Sequence, residues 1–331
     1  MAQQKLTKNE RRDQAREQAR LAREAEKKRE KRNRLMWQGG VVLGVVAILA
    51  IVALVITQSM KPAGPGPQNM ASGGVVLTED LAVVPTPALA DGETRVAPTV
   101  DRTQTPLDVT VYVDYACVHC SQFEQTNGSV LESWVGSGDA NLQIYPVNIL
   151  DAGTKYSTRA ANLVSCVVDQ DPENGVVFNL HANLLSNDVW SKASEQGGLT
   201  DEELIEQAEL AGVDVNDELR QCVKDVRFSK FIEKTTNAIT QQSGTGVLGL
   251  AEGAQLKGRD GLQSADGPQL LQGTPLVIVN GVEWITNSPA DYSDFEEYLL
   301  KVKAELESKN GNDNGNGSAA DGDAAKEEET E

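Results

Sequence analysis

Cys117-Val118-His119-Cys120 sets two thiols two residues apart, directly after an alternating apolar run of Leu107, Val109, Val111 and Val113. The run predicts a β-strand over Leu107–Asp114, and Phe123 and Val130 beyond the pair predict a helix to about Trp134. Cys117 then stands where strand turns into helix. At a helix N-terminus the dipole and the free backbone N–H groups favour a thiolate. Cys120 falls one turn inside, placed to attack a mixed disulfide formed at Cys117. The spacing predicts thiol–disulfide exchange, with Cys117 as the nucleophile and Cys120 as the resolving thiol. His119 lies between them; when protonated it adds positive charge near the thiolate, which stabilises the reduced form and makes the disulfide a stronger oxidant. Asp114, three residues before Cys117, either assists proton transfer or only ends the strand.

Other chemistries of a CxxC fit less well. A Cys₄ or Cys₂His₂ zinc site needs a second close pair of ligands. Here Cys166 and Cys222 stand far apart, and the only other histidine is His181. A c-type haem needs histidine directly after the second cysteine, where this chain has Ser121. A purely structural bridge across so short a loop constrains little of the unfolded chain. No metal and no bound cofactor is expected. With Cys117 and Cys120 tied locally, Cys166 and Cys222 remain as a second pair, structural or redox-active. His181, amid Phe178, Leu184 and Leu185, is expected to pack. Gly244-x-Gly246-x-x-Gly249 matches a dinucleotide fingerprint in letters only, because it follows a helical stretch rather than a strand.

The elements that hold the cysteines follow from periodicity. Leu142, Ile144, Val147 and Ile149 predict a second strand, broken by Pro146, and residues 156–242 read as helical. Thr200-Asp-Glu-Glu203 is a capping box. Leu276–Val279, Asn280-Gly281 and Val282–Ile285 predict a hairpin with a type I′ turn. Ser293-Asp-Phe-Glu296 is expected to cap a last helix with the stripe Phe295, Leu299, Val302 and Leu306. Strand, helix, strand, a block of helices, hairpin and helix make an α/β sheet domain with a helical insertion.

The chain has 331 residues and a formal net charge of −19, unevenly spread. Residues 1–34 carry 13 Lys and Arg against 6 Asp and Glu; the remainder carries 17 against 43. An acidic body excludes nucleic acid as its natural partner. Leu35 to Met60 lacks any charge, long enough for one transmembrane helix. A cleaved signal peptide fits less well, given the long charged arm and the absence of an A-x-A-like site; a buried core helix fits least. The basic flank places the N-terminus in the cytoplasm and the body outside the cell membrane, in an oxidising compartment. The expected organisation is a basic arm at 1–34, a signal anchor at 35–60 and a Pro/Gly linker at 61–74. A folded body at 75–308 and a disordered acidic tail at 309–331 complete it.

Val113-Asp-Tyr-Ala-Cys-Val-His-Cys120 resembles the active-site strand and helix start of DsbA-like thiol–disulfide oxidoreductases. Gly273-Thr274-Pro275, ahead of the Leu276–Val279 strand, resembles their cis-proline loop. The arm, single span and acidic body resemble membrane-anchored members from Gram-positive, actinobacterial sources. The resemblance implies a thioredoxin-like fold with an inserted helical domain over 156–242. It also implies a cis Thr274–Pro275 peptide that presents Thr274 backbone groups to a bound substrate strand. The clients would be secreted or surface proteins with cysteines, oxidised at the expense of a membrane partner resembling vitamin K epoxide reductase. A reductase or isomerase of the same fold, or a non-enzymatic client- or metal-binding module, are the alternatives. Two departures stand out. Val118 replaces a proline common in oxidising members, and residues 243–272, rich in Gly and Gln, separate the helical block from Gly273. This extra loop is either a flap beside the active site or an indifferent surface insertion.

Overall fold

The computed structural model describes Arg20, Arg23, Lys27 and Lys28, residues 64–99, Arg102 and residues 106–315. The chain divides into two units, Met1–Pro62 and Ala63–Glu331. In the first, the four described residues are helical and exposed. The rest of the basic arm, the expected span at 35–60 and residues 316–331 of the expected tail lie outside the described residues. Among the described residues no helix is long and apolar enough to cross a membrane.

The second unit is built on a six-stranded sheet. Its strands are β1 (Val75–Thr78), β2 (Ala82–Val83), β3 (Leu107–Val113), β4 (Ala140–Pro146), β7 (Leu276–Val279) and β8 (Val282–Glu283). They lie in the order β2-β1-β4-β3-β7-β8. β3 and β4 run parallel, with Val109 opposite Leu142 and Val113 opposite Pro146. β7 pairs antiparallel to β3, with Val111 opposite Val277. Helix α1 (Val118–Gly136) makes the crossover between the parallel strands. Six helices follow β4: α2 (Tyr156–Val168), α3 (Val176–Leu185), α4 (Asn187–Gln196), α5 (Asp201–Leu210), α6 (Asp217–Lys224) and α7 (Ser229–Thr240). They fill the predicted helical insertion, and the Thr200–Glu203 capping box forms as expected. Cys166 in α2 and Cys222 in α6 are joined by a disulfide.

All seven residues of β3 are buried. Val109, Val111 and Val113 face the main core with Phe123, Leu131 and the helices. The opposite face carries the polar Asp108 and Thr110. It is covered too, because Tyr112 joins Tyr145, Ile239 and Ile278 in a second core completed by Val247, Leu256 and Leu271. Those last three come from the extra loop at 243–272, which is a layer of the fold rather than an indifferent surface insertion. Its glutamines explain how so polar a segment packs. Gln269 accepts from the Leu256 N–H at 2.8 Å, and Gln263 both accepts from the Leu270 N–H and donates to its carbonyl. Side-chain amides thus satisfy backbone groups that β-pairing leaves open. Only a short hairpin, β5 (Lys257–Gly258) and β6 (Gly261–Leu262), is regular.

Three boundaries differ from expectation. From Gly64 onward the expected linker lies on the body: the Gly66 N–H donates to Leu89 O at 2.8 Å, and Met70 is buried. Its glycines serve close approach, since a Cβ on Gly66 would lie 2.7 Å from the Phe231 ring and one on Gly74 2.6 Å from Ile144 O. The last helix, α8 (Phe295–Gly315), continues through the start of the expected disordered tail. Ser293 does not cap it. Its hydroxyl turns back to Asp291, while the Asp294 carboxylate accepts from Thr286 and Asn287. Between β7 and β8, Asn280 (φ 49°) and Gly281 (φ 79°) give the positive angles of the predicted turn.

Candidate active site

Cys117 is the N-cap of α1, with an extended backbone (φ −81°, ψ 122°). The turn that puts it there is fixed by Asp114. The Asp114 carbonyl accepts the Cys117 N–H at 2.9 Å, and its carboxylate accepts the N–H groups of Ala116 and Leu150, each at 2.9 Å. One carboxylate thereby joins the loops leaving the two parallel strands. Burial raises the Asp114 pKa, with the two N–H donors opposing it.

Opposite the cysteines lies Thr274–Pro275, joined by a cis peptide. The two thiols are free of one another, and the Cys117 S–H donates to the Thr274 carbonyl at 3.2 Å. Their environments push their acidities apart. The Cys120 thiol, a hydrogen-bond donor to the Cys117 sulfur, is the largest influence on Cys117 and lowers its pKa. Burial opposes, and the Thr274 side chain with the backbone N–H groups of Cys120 and His119 brings the value down to about 5. Cys120 moves well up, first by burial and then by the neighbouring Cys117. The Thr274 hydroxyl is buried and otherwise unpartnered, which leaves it free to donate to a Cys117 thiolate. No acidic side chain occupies the first turn of α1 to compete for the helix dipole.

His119 is placed differently from expectation. Its ring is exposed and pairs through Nδ1 with Gln122 Oε1 at 3.2 Å. What reaches the Cys117 sulfur is its backbone N–H. His181 packs, as expected, but in company that periodicity did not reveal. Its Nδ1 meets the Tyr115 hydroxyl and its Nε2 the Glu124 carboxylate, both at 3.2 Å and all buried. Tyr115 precedes Cys117 by two residues and Glu124 follows Cys120 by one helical turn, so this line braces the floor of the site. Ser121 Oγ donates to Leu185 O at 2.7 Å and ties α1 to the helical insertion.

A groove of 630 Å³ opens beside the thiols, running between Gly273–Leu276 and the β5–β6 hairpin, with His119 and Tyr292 at its sides. Among the described residues no group of three or more His, Cys, Asp or Glu side chains is placed to hold a metal.

The family comparison agrees with this architecture. Residues 97–246 match the family described as Thioredoxin. None of the curated proteins matches the chain in sequence. Among solved structures, reduced DsbA from Mycobacterium tuberculosis is 19% identical with a TM-score of 0.45, over 71% of this chain and 99% of that one. MdbA, a thiol-disulfide oxidoreductase from Actinomyces oris, is 18% identical with a TM-score of 0.44, over 62% and 84%. Oxidised BdbD from Bacillus subtilis is 19% identical with a TM-score of 0.44, over 75% and 100%. This chain carries a thioredoxin-like domain, with a free CxxC pair at the head of its first helix and a cis-proline loop across from it.

Proposed function

We propose that the protein is a thiol–disulfide oxidoreductase that works mainly as an oxidase of secreted or surface proteins. The observation that carries this reading is the split between the two thiols: Cys117 lowered to about 5 and Cys120 well raised. In the oxidised protein, a client thiolate attacks the Cys117 sulfur, breaking the Cys117–Cys120 bond; Cys120 departs and takes up a proton. A second client thiol, losing its proton, attacks the client sulfur of the mixed disulfide. Cys117 leaves as its thiolate, the client holds a new disulfide, and two electrons have passed to the CxxC pair. A leaving thiol of low pKa speeds that last step and stabilises the reduced product, which makes the disulfide oxidising.

Recharging requires an acceptor for those two electrons, and a quinone-linked membrane protein of the vitamin K epoxide reductase kind suits an anchored donor. The uncharged stretch at 35–60 and its basic flank support a single-pass anchor with the catalytic domain outside the cell membrane. The Cys166–Cys222 disulfide fits the oxidising compartment such an orientation requires. The test is the reduction potential of the Cys117–Cys120 couple in the full chain, equilibrated with glutathione. A value near the roughly −120 mV of strong oxidants supports the oxidase; one near −270 mV reverses the assignment to a reductase.

A further inference from the structure

The wall of the groove opposite Gly273–Leu276 is the hairpin that the extra loop contributes. Its position is fixed by three ties. The Lys257 N–H donates to the Glu283 carboxylate, the Arg259 N–H to Gln272 Oε1 at 3.2 Å, and Leu256 is buried in the second core. Gln272 directly precedes the Gly273-Thr274-Pro275 loop, so wall and loop are held in one frame. Lys257 lies in β5 and Arg259 opens the turn to β6. Both are exposed and both line the groove. Gly258 between them adds no side chain.

Charge sets this wall apart from the acidic body. Beyond residue 34 the chain carries 43 Asp and Glu against 17 Lys and Arg. The acidic and basic residues lining the groove are His119, Lys257, Arg259 and Glu283, and the one carboxylate among them already accepts the Lys257 N–H. Asp260, at the hairpin turn, does not line it. An acidic segment is repelled by the bulk of the surface and attracted at this wall.

We propose that Lys257 and Arg259 recognise an acidic side chain flanking the cysteine of an extended client segment bound between the β5–β6 hairpin and the Thr274–Pro275 loop. This specificity rests on the exchange reading above. It makes clients with Asp or Glu a few residues from the reacting cysteine the preferred class.

The experiment uses the oxidised full chain and three dithiol peptides whose cysteines are flanked by Glu, Gln or Lys. Each rate is divided by the same peptide's rate with hydroxyethyl disulfide, which removes the effect of flanking charge on the peptide's own thiol. The normalised Glu-to-Lys ratio is expected to be about fivefold at low salt, the scale of two exposed charge contacts. It should decline towards one at about 0.5 M salt. In K257Q/R259Q the ratio should fall most of the way to one, and in K257E/R259E it should invert. Each ratio is taken within a single protein, so partial misfolding of a variant cancels. A wild-type ratio of one or below, or one that both variants leave unchanged, overturns the proposal. Oxidation of uncharged dithiothreitol by the wild type separates the two readings. If it proceeds while the ratio is one, only the specificity fails; if it does not proceed, exchange itself fails and the specificity with it.

Discussion

Replacing Cys120 by alanine removes the group with the largest influence on the Cys117 thiol. The sign follows from which form is stabilised. A donor to the sulfur favours the thiolate, so its loss raises the Cys117 pKa. A hydrogen bond to a charged group contributes about 1.5–3 kcal/mol, and one pKa unit is about 1.4 kcal/mol. The undiscounted effect is therefore about 1–2 units. The Thr274 side chain and the backbone N–H groups of residues 119 and 120 remain to hold the thiolate, so the lower end applies. The expected midpoint moves from about 5 to about 6. Thiolate ultraviolet absorbance, followed across acid to neutral pH, reads it directly, because the variant has one active-site sulfur and no coupled titration. An unchanged or lowered midpoint refutes the assignment of Cys120 as donor. A wild-type midpoint near the ordinary thiol value of about 8.5 refutes the whole electrostatic account of the site.

Two further outcomes are expected. Between about pH 5 and the raised pKa of Cys120, reduction yields one thiolate and one thiol, so it takes up one proton per two electrons. The potential should then fall by about 30 mV per pH unit above pH 5 and about 60 mV below it, and a slope of about 60 mV through pH 7 contradicts the lowered Cys117. Replacing both Cys166 and Cys222 by alanine opens a bridge spanning 56 residues. Denaturant unfolding should show a loss of about 4 kcal/mol, and a loss under about 1 kcal/mol means the bridge does little to restrict the unfolded chain.

Short-range patterns carried most of this fold in the sequence. Alternation marked β3, Asn280-Gly281 marked the terminal hairpin, and Thr200 with Glu203 marked a helix start; the structure has all three. Each is a local choice of backbone angles that neighbouring residues decide. The cysteine pair was legible for the same reason, since its spacing alone puts one sulfur at a helix start and the other a turn inside. What depended on distant packing was not. The glycines at 66 and 74 look like spacers until Phe231 and Ile144 are seen against them. The extra loop read as either a flap or an indifferent insertion because its buried residues, Val247, Leu256 and Leu271, are scattered among Gly and Gln with no period. Deleting it would bare Tyr112 and Ile278 and unfold the second core instead of testing a flap. His119 stood at the right place in sequence for tuning, but a ring's direction depends on its partner, here Gln122.

The segment that walls the groove also completes a core, through Leu256 and Leu271. Moving such a wall means unpacking the core that Leu256 and Leu271 complete, which favours a single shape for the groove. Between two rigid partners a poor match is rejected; between one rigid and one pliable partner, the pliable one supplies the adjustment and bears its entropy. On the proposed function, such a groove would select partners by their freedom as much as by their residues. A cysteine locked into a finished domain cannot bend to fit, whereas one in a chain still folding can.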